Sequence, residues 1–288
     1  ANEWDETTSM WMNYAGTENC IPFAGTETLD GMEVWSLKYD ELWPTYGCPQ
    51  PVNGPVLMYS GPFATLHTGA MSTPATYTAG TFAGWNALPN PYPSGLVMDA
   101  IVWDPAAIPG GAFYDCPGSY LYWTPALGAY TSPVGNGFFT EFTAPGSFDL
   151  AGTERGTPSD WFYKDEVTSL LVMEATGDET SDVTYVRFMD NAQPGFAPDG
   201  DFHKLFTTME GLAQIYTTAG ADQLAVNALP ATDMVPMGFT AATSGSYTLQ
   251  AIETSEFAEV YLQDLVTGDI TNLLNGSYTF DYTVGDDA

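Results

Sequence analysis

The chain has 288 residues, of which 44% are hydrophobic and 14% aromatic, so it can bury a core and is not a disordered acidic tail. Its 36 acidic side chains face only 5 Lys and Arg, which gives a net charge of −31. Such a surface repels nucleic acid and anionic membranes, and this excludes a DNA- or RNA-binding role. Salt screening or divalent cations would relieve the self-repulsion, and both favour saline surroundings outside the cell. A merely acidic cytosolic protein is the alternative.

The N-terminal two thirds of the chain predicts short strands between long loops, since 29 Gly and 21 Pro favour turns. Residues 1–20 are predicted to form a docking or swapped arm. The tryptophans among the first 50 residues are expected to pack in a core or between subunits. These tryptophans are Trp4, Trp11, Trp35 and Trp43. The candidate strands are Gly54–Tyr59, Ser119–Trp123, Gly137–Thr143, Ser169–Thr176 and Ser181–Asp190.

The last third of the chain has the clearest alternation of apolar and polar residues. In Ser277–Val284, Tyr278, Phe280 and Tyr282 share one face, as in a half-buried strand. A helical turn is predicted only at Asp201–Glu210, from apolar side chains three and four residues apart. The remaining predictions are two strands in Gln214–Leu229 around a turn at Ala219–Asp222, a strand at Ser244–Glu253, a strand at Glu259–Leu265 and a hairpin at Asp264–Leu273.

These elements predict an all-β protein of antiparallel β-sandwich domains, with Gly/Pro-rich loops and little helix. We expect a β-rich N-terminal domain with long loops at residues 1–205. A small C-terminal β-sandwich domain would then occupy residues 206–288.

Three cysteines stand apart at Cys20, Cys48 and Cys116, with no CxxC pair, so a thiolate metal site is not expected. A Cys20–Cys48 disulfide fits an oxidising compartment, and three reduced core thiols are the alternative. No apolar run approaches the length of a membrane span, so membrane insertion is not expected. No signal peptide is visible, and Ala1 resembles the start of a processed protein.

Recognisable catalytic motifs are missing from the sequence. HExxH, the G-x-S-x-G elbow and phosphate-binding glycine loops do not occur, and the acidic residues show no spacing that selects a glycosidase pair. We expect His203 to pack as a tyrosine would and His67 to be structural. An unrecognised hydrolase site is a third hypothesis, and we predict a non-catalytic protein.

An acidic loop at residues 189–202 is the candidate ion site. Asp190, Asn191, Asp199 and Asp201 offer hard oxygen ligands around a Pro/Gly turn, which suits Ca²⁺. The spacing is not that of an EF-hand. A solvated acidic loop without metal is the alternative.

The segment "AGWNALPNPYPSG", residues 83–95, is the candidate structural corner. Its prolines force the preceding residues into extended backbone, and Trp85 can clamp the corner onto a sheet. The Asn86 side chain can bond to nearby backbone. The alternative is a sugar-stacking platform of exposed Trp85 and Tyr92.

Six segments in order resemble secreted and cell-surface proteins of the Bacteroidota, from Gly84 to the end of the chain. The six are "GWNALPNPYPSG", "VGNGFFTEFTAPGSFDL", "DETSDVTYVRFMDNAQPGFAPDGDFHKLF", "QIYTTAGADQLAVNALP", "VPMGFTAATSGSYTLQAIE" and "VYLQDLVTGDITNLLNGSYTFDYTVGDDA". The resemblance implies β-sandwich architecture, export through the type IX pathway and a place at the cell surface. Proteins of this kind usually continue past "GDD" into one more strand, whereas this chain stops at Ala288. The resemblance thereby suggests an open sheet edge that a neighbouring subunit completes, with a shortened chain as the alternative.

The function expected is therefore an extracellular structural or interaction protein, a filament, sheath or adhesin subunit. Its partners would be copies of itself or other surface proteins, joined by strand or arm exchange. The alternative is a carbohydrate-binding module of a secreted degradative system, which would bind polysaccharide through exposed coplanar Trp and Tyr rings.

Overall fold

The computed structural model describes residues 69–80, 82–114, 119–134, 136–157, 167–177, 180–207, 212–254 and 257–285, with the backbone alone of residues 2–5, 10–13, 35–36 and 115. The first strands are β1 Asn2–Asp5, β2 Met10–Asn13, β3 Trp35–Ser36, β4 Met71–Ala75, β5 Trp85–Pro89, β6 Gly95–Val97, β7 Gly111–Asp115, β8 Ser119–Trp123, β9 Thr131–Ser132, β10 Gly137–Glu141, β11 Gly146–Leu150 and β12 Arg155–Gly156. The later strands are β13 Leu170–Thr176, β14 Ser181–Phe188, β15 Phe202–His203, β16 Ala213–Ala219, β17 Asp222–Leu229, β18 Met237–Ala241, β19 Gly245–Thr254, β20 Tyr261–Gln263, β21 Ile270–Asn272 and β22 Tyr278–Tyr282. Helix in these residues is limited to two 3-10 turns, Met98–Ala100 and Pro125–Leu127. The all-β prediction is confirmed.

Two compact units share the chain. The first unit comprises residues 1–107 and 131–158, and it is built from small antiparallel sheets. Strand β1 pairs with β2 and β3, β4 with β11, β5 with β10, and β6 with β9 and β12. Rings of Trp103, Phe138 and Phe148 lie 5.9–6.4 Å apart, and the two phenylalanines are buried. Contacts of this kind fix the short strands around one aromatic core.

The second unit comprises residues 108–130 and 159–288, and it holds one large sheet. The strand order is β18-β16-β17-β14-β13-β19-β22, and β15 pairs with β17 beside it. All pairings in this sheet are antiparallel except β14 with β17, which is parallel. The chain returns from β14 through β15 and β16 before β17 begins, and this longer connection allows the parallel pair.

This sheet closes on itself into a sandwich-like core. Strands β18 and β22 end the strand order, yet the Phe239 ring of β18 lies 5.1 Å from Phe280 and 5.2 Å from Tyr282 of β22. A separate hairpin of β20 and β21 adds Leu262 and Leu273 to the same core. The sheet therefore bends until side chains from both of its ends meet.

The strands that the sequence predicts after residue 169 are confirmed, with bounds within a few residues. The hairpin β16–β17 has the predicted turn, whereas the turn of β20–β21 is longer than predicted, since its strands end at Gln263 and begin at Ile270. Tyr278, Phe280 and Tyr282 face the core together. The predicted helical turn at Asp201–Glu210 is wrong for residues 201–207, the part of it that the structure describes. There Phe202 and His203 pair with β17 instead, because a buried sheet position outweighs a three-residue apolar spacing.

The domain boundary predicted between residues 205 and 206 falls inside the second unit. The Lys204 N–H donates to the Gln223 carbonyl at 2.8 Å, so the chain on either side of the boundary serves one sheet. Residues 2–5 and 10–13 of the predicted arm pair with each other as β1 and β2. The predicted strand Gly54–Tyr59, Trp43 and the side chains of Trp4, Trp11 and Trp35 lie outside the described residues. In the described part of the chain, no helix has the length and apolarity needed to cross a membrane.

Candidate functional site

The predicted corner is built around Gly84 and Asn86. Gly84 has a φ of +75°, and a Cβ there would lie 1.9 Å from the Phe142 carbonyl oxygen. Asn86 Nδ2 donates to the carbonyls of Gly84 at 2.8 Å and Thr76 at 2.9 Å, while its Oδ1 accepts the Thr76 N–H at 3.0 Å. Only glycine fits the first position, and a side-chain amide matches the backbone donor and acceptor at the second.

The proline-rich half of the corner is held by Asn90. Its Nδ2 donates to the Ser94 and Pro133 carbonyls at 2.9 Å each, and its Oδ1 accepts the Tyr92 N–H at 3.1 Å. Trp85 is 6% and Tyr92 2% exposed, so neither ring offers a face to a sugar. Burial raises the pKa of the Tyr92 hydroxyl, and the nearby Glu154 carboxylate adds to this shift.

The acidic loop divides into one buried and three exposed residues. Asp190, Asn191 and Asp199 are exposed, whereas Asp201 is fully buried. The Asp201 carboxylate accepts the Ala197 N–H at 2.7 Å and the Ala228 N–H at 2.6 Å. Burial raises its pKa to about 6, against the opposing effect of these two donors.

Metal binding at this loop stays a prediction. Among the described residues, no three Asp, Glu, His or Cys side chains are close enough to hold an ion. The carboxylate of Asp201 instead ties the loop to β17 through Ala228. His203 packs through a stacked contact with Phe196, with ring centroids 4.3 Å apart, and its Nε2 lies 3.7 Å from Asp222.

A buried ion pair connects β14 to the chain after β15. Lys204 Nζ lies 2.6 and 2.7 Å from the two carboxylate oxygens of Asp182, and their side chains are 1% and 2% exposed. The Ile215 N–H of β16 donates to Asp182 Oδ2 at 2.8 Å. Burial raises the pKa of Asp182 and lowers that of Lys204, although each partner opposes the shift of the other.

The β20–β21 hairpin carries the two most exposed large apolar side chains described in the second unit. Leu265 is 85% and Val266 81% exposed in the connecting loop, while Tyr261 and Ile270 on the flanking strands are 56% and 65% exposed. We call these four residues the hairpin patch. Exposed apolar side chains that cluster on one element mark a site of protein–protein contact more often than isolated ones do.

Asp264 gives the hairpin loop a fixed shape. Its Oδ1 accepts the N–H groups of Val266 at 2.6 Å and Thr267 at 3.1 Å, and its Oδ2 accepts the Tyr278 hydroxyl. The Tyr278 hydrogen bond is the main cause of a lowered Asp264 pKa. The loop closes through Gly268, which has a φ of +81°. Leu265 and Val266 are thus presented to solvent by a hydrogen-bonded loop.

The most exposed aromatic side chains of the described residues do not lie together on one sheet face. The exposed ones are Tyr77 after β4, Tyr114 on β7 and Tyr261 on β20, each on a different element. Cys20, Cys48, Cys116 and His67 lie outside the described residues, so the disulfide stays a prediction. Sequence patterns did not indicate the roles of Asn90, Asp264 and the Asp182–Lys204 pair. A lysine placed before Leu205 and Phe206, in a chain with only 5 basic residues, is the one signal that could have indicated the pair.

The chain is similar in part to a curated protein. The minor fimbrium subunit Mfa5 of Porphyromonas gingivalis is 34% identical to this chain over 121 residues, which cover 40% of this chain and 10% of that protein. The chain thus matches only about a tenth of the length of this relative. No protein-family model matches the chain. No solved structure matches it either.

Proposed function

We propose that this protein is a non-catalytic subunit of an extracellular filament on the surface of a Bacteroidota cell. The observation that carries the proposal is the hairpin patch, four exposed apolar side chains on a hydrogen-bonded element of an otherwise acidic protein. The similarity to a minor fimbrium subunit of Porphyromonas gingivalis supports the same assignment. Export through the type IX pathway rests on the six segments that resemble secreted proteins of that phylum.

Subunit contact through an added strand is the form of assembly that we propose. Strands β18 and β22 end the order of the large sheet, and within the described residues each pairs on one side only. An edge strand can pair with an extended segment of another chain through its free N–H and C=O groups. The partner would be a copy of this protein or another surface protein, and the hairpin patch would add apolar contact beside the new strand.

The electrostatics of the chain support short-range contacts between subunits. A net charge of −31 repels a second copy at a distance. At saline ionic strength the repulsion is screened within roughly 10 Å. Apolar burial and strand pairing then decide whether two subunits associate.

The proposal is tested by fractionating cell-surface material. Filaments sheared from cells and pelleted by ultracentrifugation are expected to contain this protein as a stoichiometric component. Recovery of the protein only in the soluble fraction, as a monomer, would contradict the assignment. Hydrolysis of a glycan or peptide by the purified protein would replace it with an enzymatic one.

A further inference from the structure

The Asp182–Lys204 ion pair is buried in the second unit and takes no part in the proposed assembly. The Lys204 side chain is 1% exposed and lies among Asp182, the Val183 carbonyl and the Tyr122 ring, whose centroid lies 4.9 Å from Nζ. Burying two charges usually costs more free energy of desolvation than their mutual attraction contributes. One of only 5 basic residues in the chain is nevertheless buried at this position.

We propose that Lys204 and Asp182 become joined by an isopeptide bond in the mature protein. Nζ lies within 2.7 Å of both carboxylate oxygens, so the amine and the carboxyl carbon are already in contact. Holding reactants at this distance replaces the entropy cost of a bimolecular encounter. Water is excluded from the pair, since both side chains are at most 2% exposed.

The geometry also assigns a role to each carboxylate oxygen. Asp182 Oδ2 accepts the Ile215 N–H at 2.8 Å in addition to its contact with the lysine. A backbone donor at that position stabilises the negative charge that collects on Oδ2 during attack. A backbone hydrogen bond at Val183 also stabilises the carboxylate, and Oδ1, which bonds to Lys204, is the oxygen that leaves.

The reaction balances without an oxidant or a cofactor. A proton first moves from Lys204 Nζ to Asp182 Oδ1, and this leaves a neutral amine beside a neutral acid. The nitrogen lone pair then forms a bond to Cγ, and the C=O electron pair moves to Oδ2. When the carbonyl re-forms, the Cγ–Oδ1 bond breaks, and Oδ1 leaves as water with a second proton from nitrogen. The low-dielectric site favours the first transfer, because burial raises the pKa of the acid and lowers that of the amine.

The bond would tie β14 to the segment that follows β15. It closes a covalent loop from Asp182 to Lys204, which contains the acidic loop at residues 189–202. A cross-link of this length stabilises the folded state by restricting the unfolded chain. The strands on either side of the loop could then not be pulled apart without breaking a covalent bond.

The test is the mass of the purified protein after reduction and denaturation. The bond predicts a mass lower than that of the sequence by one water molecule. Trypsin then provides the location, because it cleaves after Arg187 and Lys204 in an unlinked chain and releases residues 165–187 and 188–204 separately. In the linked chain cleavage after Lys204 is lost, and residues 165–187 remain attached to the peptide that begins at residue 188.

Two variants serve as controls. Lys204→Arg keeps a cation at the site but cannot form the amide, so it is expected to show the full mass of its sequence. Asp182→Asn is expected to lose ammonia in place of water if it reacts. A wild-type protein with the full sequence mass, and with the two tryptic peptides recovered separately, would overturn the proposal and leave a simple ion pair.

Discussion

At the scale of single residues, polar side chains stabilise this protein by bonding to backbone N–H and C=O groups that lie outside the strand ladders. Asn86 and Asn90 each bond to two or more main-chain groups, and Asp201 and Asp264 do the same with N–H donors. Short strands between Gly/Pro-rich loops leave many backbone groups outside a ladder, and buried ones must find a partner. Because Asn and Asp side chains make these hydrogen bonds, the bonds need no lysine or arginine.

Gly84→Ala is expected to destabilise the first unit strongly. The new Cβ would lie 1.9 Å from the Phe142 oxygen at a φ of +75°. We expect a loss of about 3 kcal/mol or more in the free energy of unfolding, the range of strained or overpacked sites. Gly80→Ala is the control, because nothing lies within 4 Å of its added Cβ. Equal unfolding midpoints for the two variants in urea would contradict the described corner.

Asp201→Asn is expected to change the pH dependence of stability. The folded pKa of about 6 exceeds the usual value of 3.8, so the folded state binds a proton more tightly than the unfolded state. The contribution of Asp201 is then complete below about pH 4 and is lost as the pH rises through 6. Relative to the variant, the wild type should lose about 2–3 kcal/mol across this range.

Urea titrations at several pH values measure this difference. Asp190→Asn is the matched control, since Asp190 is exposed on the same loop. Parallel pH profiles for the wild type and Asp201→Asn would show that Asp201 does not titrate in this range.

At the scale of elements, alternation in the sequence predicted the strands of the large sheet but not their neighbours. Tyr278, Phe280 and Tyr282 lie on one face because a strand has a period of two. The parallel pairing of β14 with β17 depends on how β15 and β16 return the chain, which no local pattern records. The burial of Asp201 and Lys204 likewise depends on partners in distant strands, so the sequence suggested an ion loop for Asp201 and gave no indication of the ion pair of Lys204.

Removing apolar side chains from the hairpin patch should weaken assembly without affecting folding. Leu265→Ser with Val266→Ser changes two side chains that are 85% and 81% exposed, so the free energy of unfolding should change by less than about 0.5 kcal/mol per site. Burying each of them in a contact would contribute about 1.5–3 kcal/mol, so association should weaken at least tenfold. The measurement is the fraction of protein recovered in sheared filaments.

Val102→Ser provides the control for this experiment. Val102 is 81% exposed in the first unit and lies outside the hairpin patch. Its variant should enter filaments as the wild type does. Normal incorporation of the Leu265→Ser, Val266→Ser double variant would show that the hairpin patch does not contact a partner subunit.

At the scale of the whole molecule, composition is the most informative property of the sequence. The net charge of −31 repels nucleic acid and makes association depend on contacts within a screening length. The all-β fold supplies edge strands and an exposed apolar hairpin that can make such contacts. Composition and alternation together predicted the fold class, whereas the edge strands and the exposed hairpin patch became visible only in three dimensions.

Immunogold electron microscopy of unfixed cells, with an antibody raised against this protein, tests the filament assignment most directly. The account predicts gold particles along or at the ends of thin surface filaments, and their loss in a strain that lacks the protein. Label confined to the cell interior, or spread over an envelope without filaments, would contradict it.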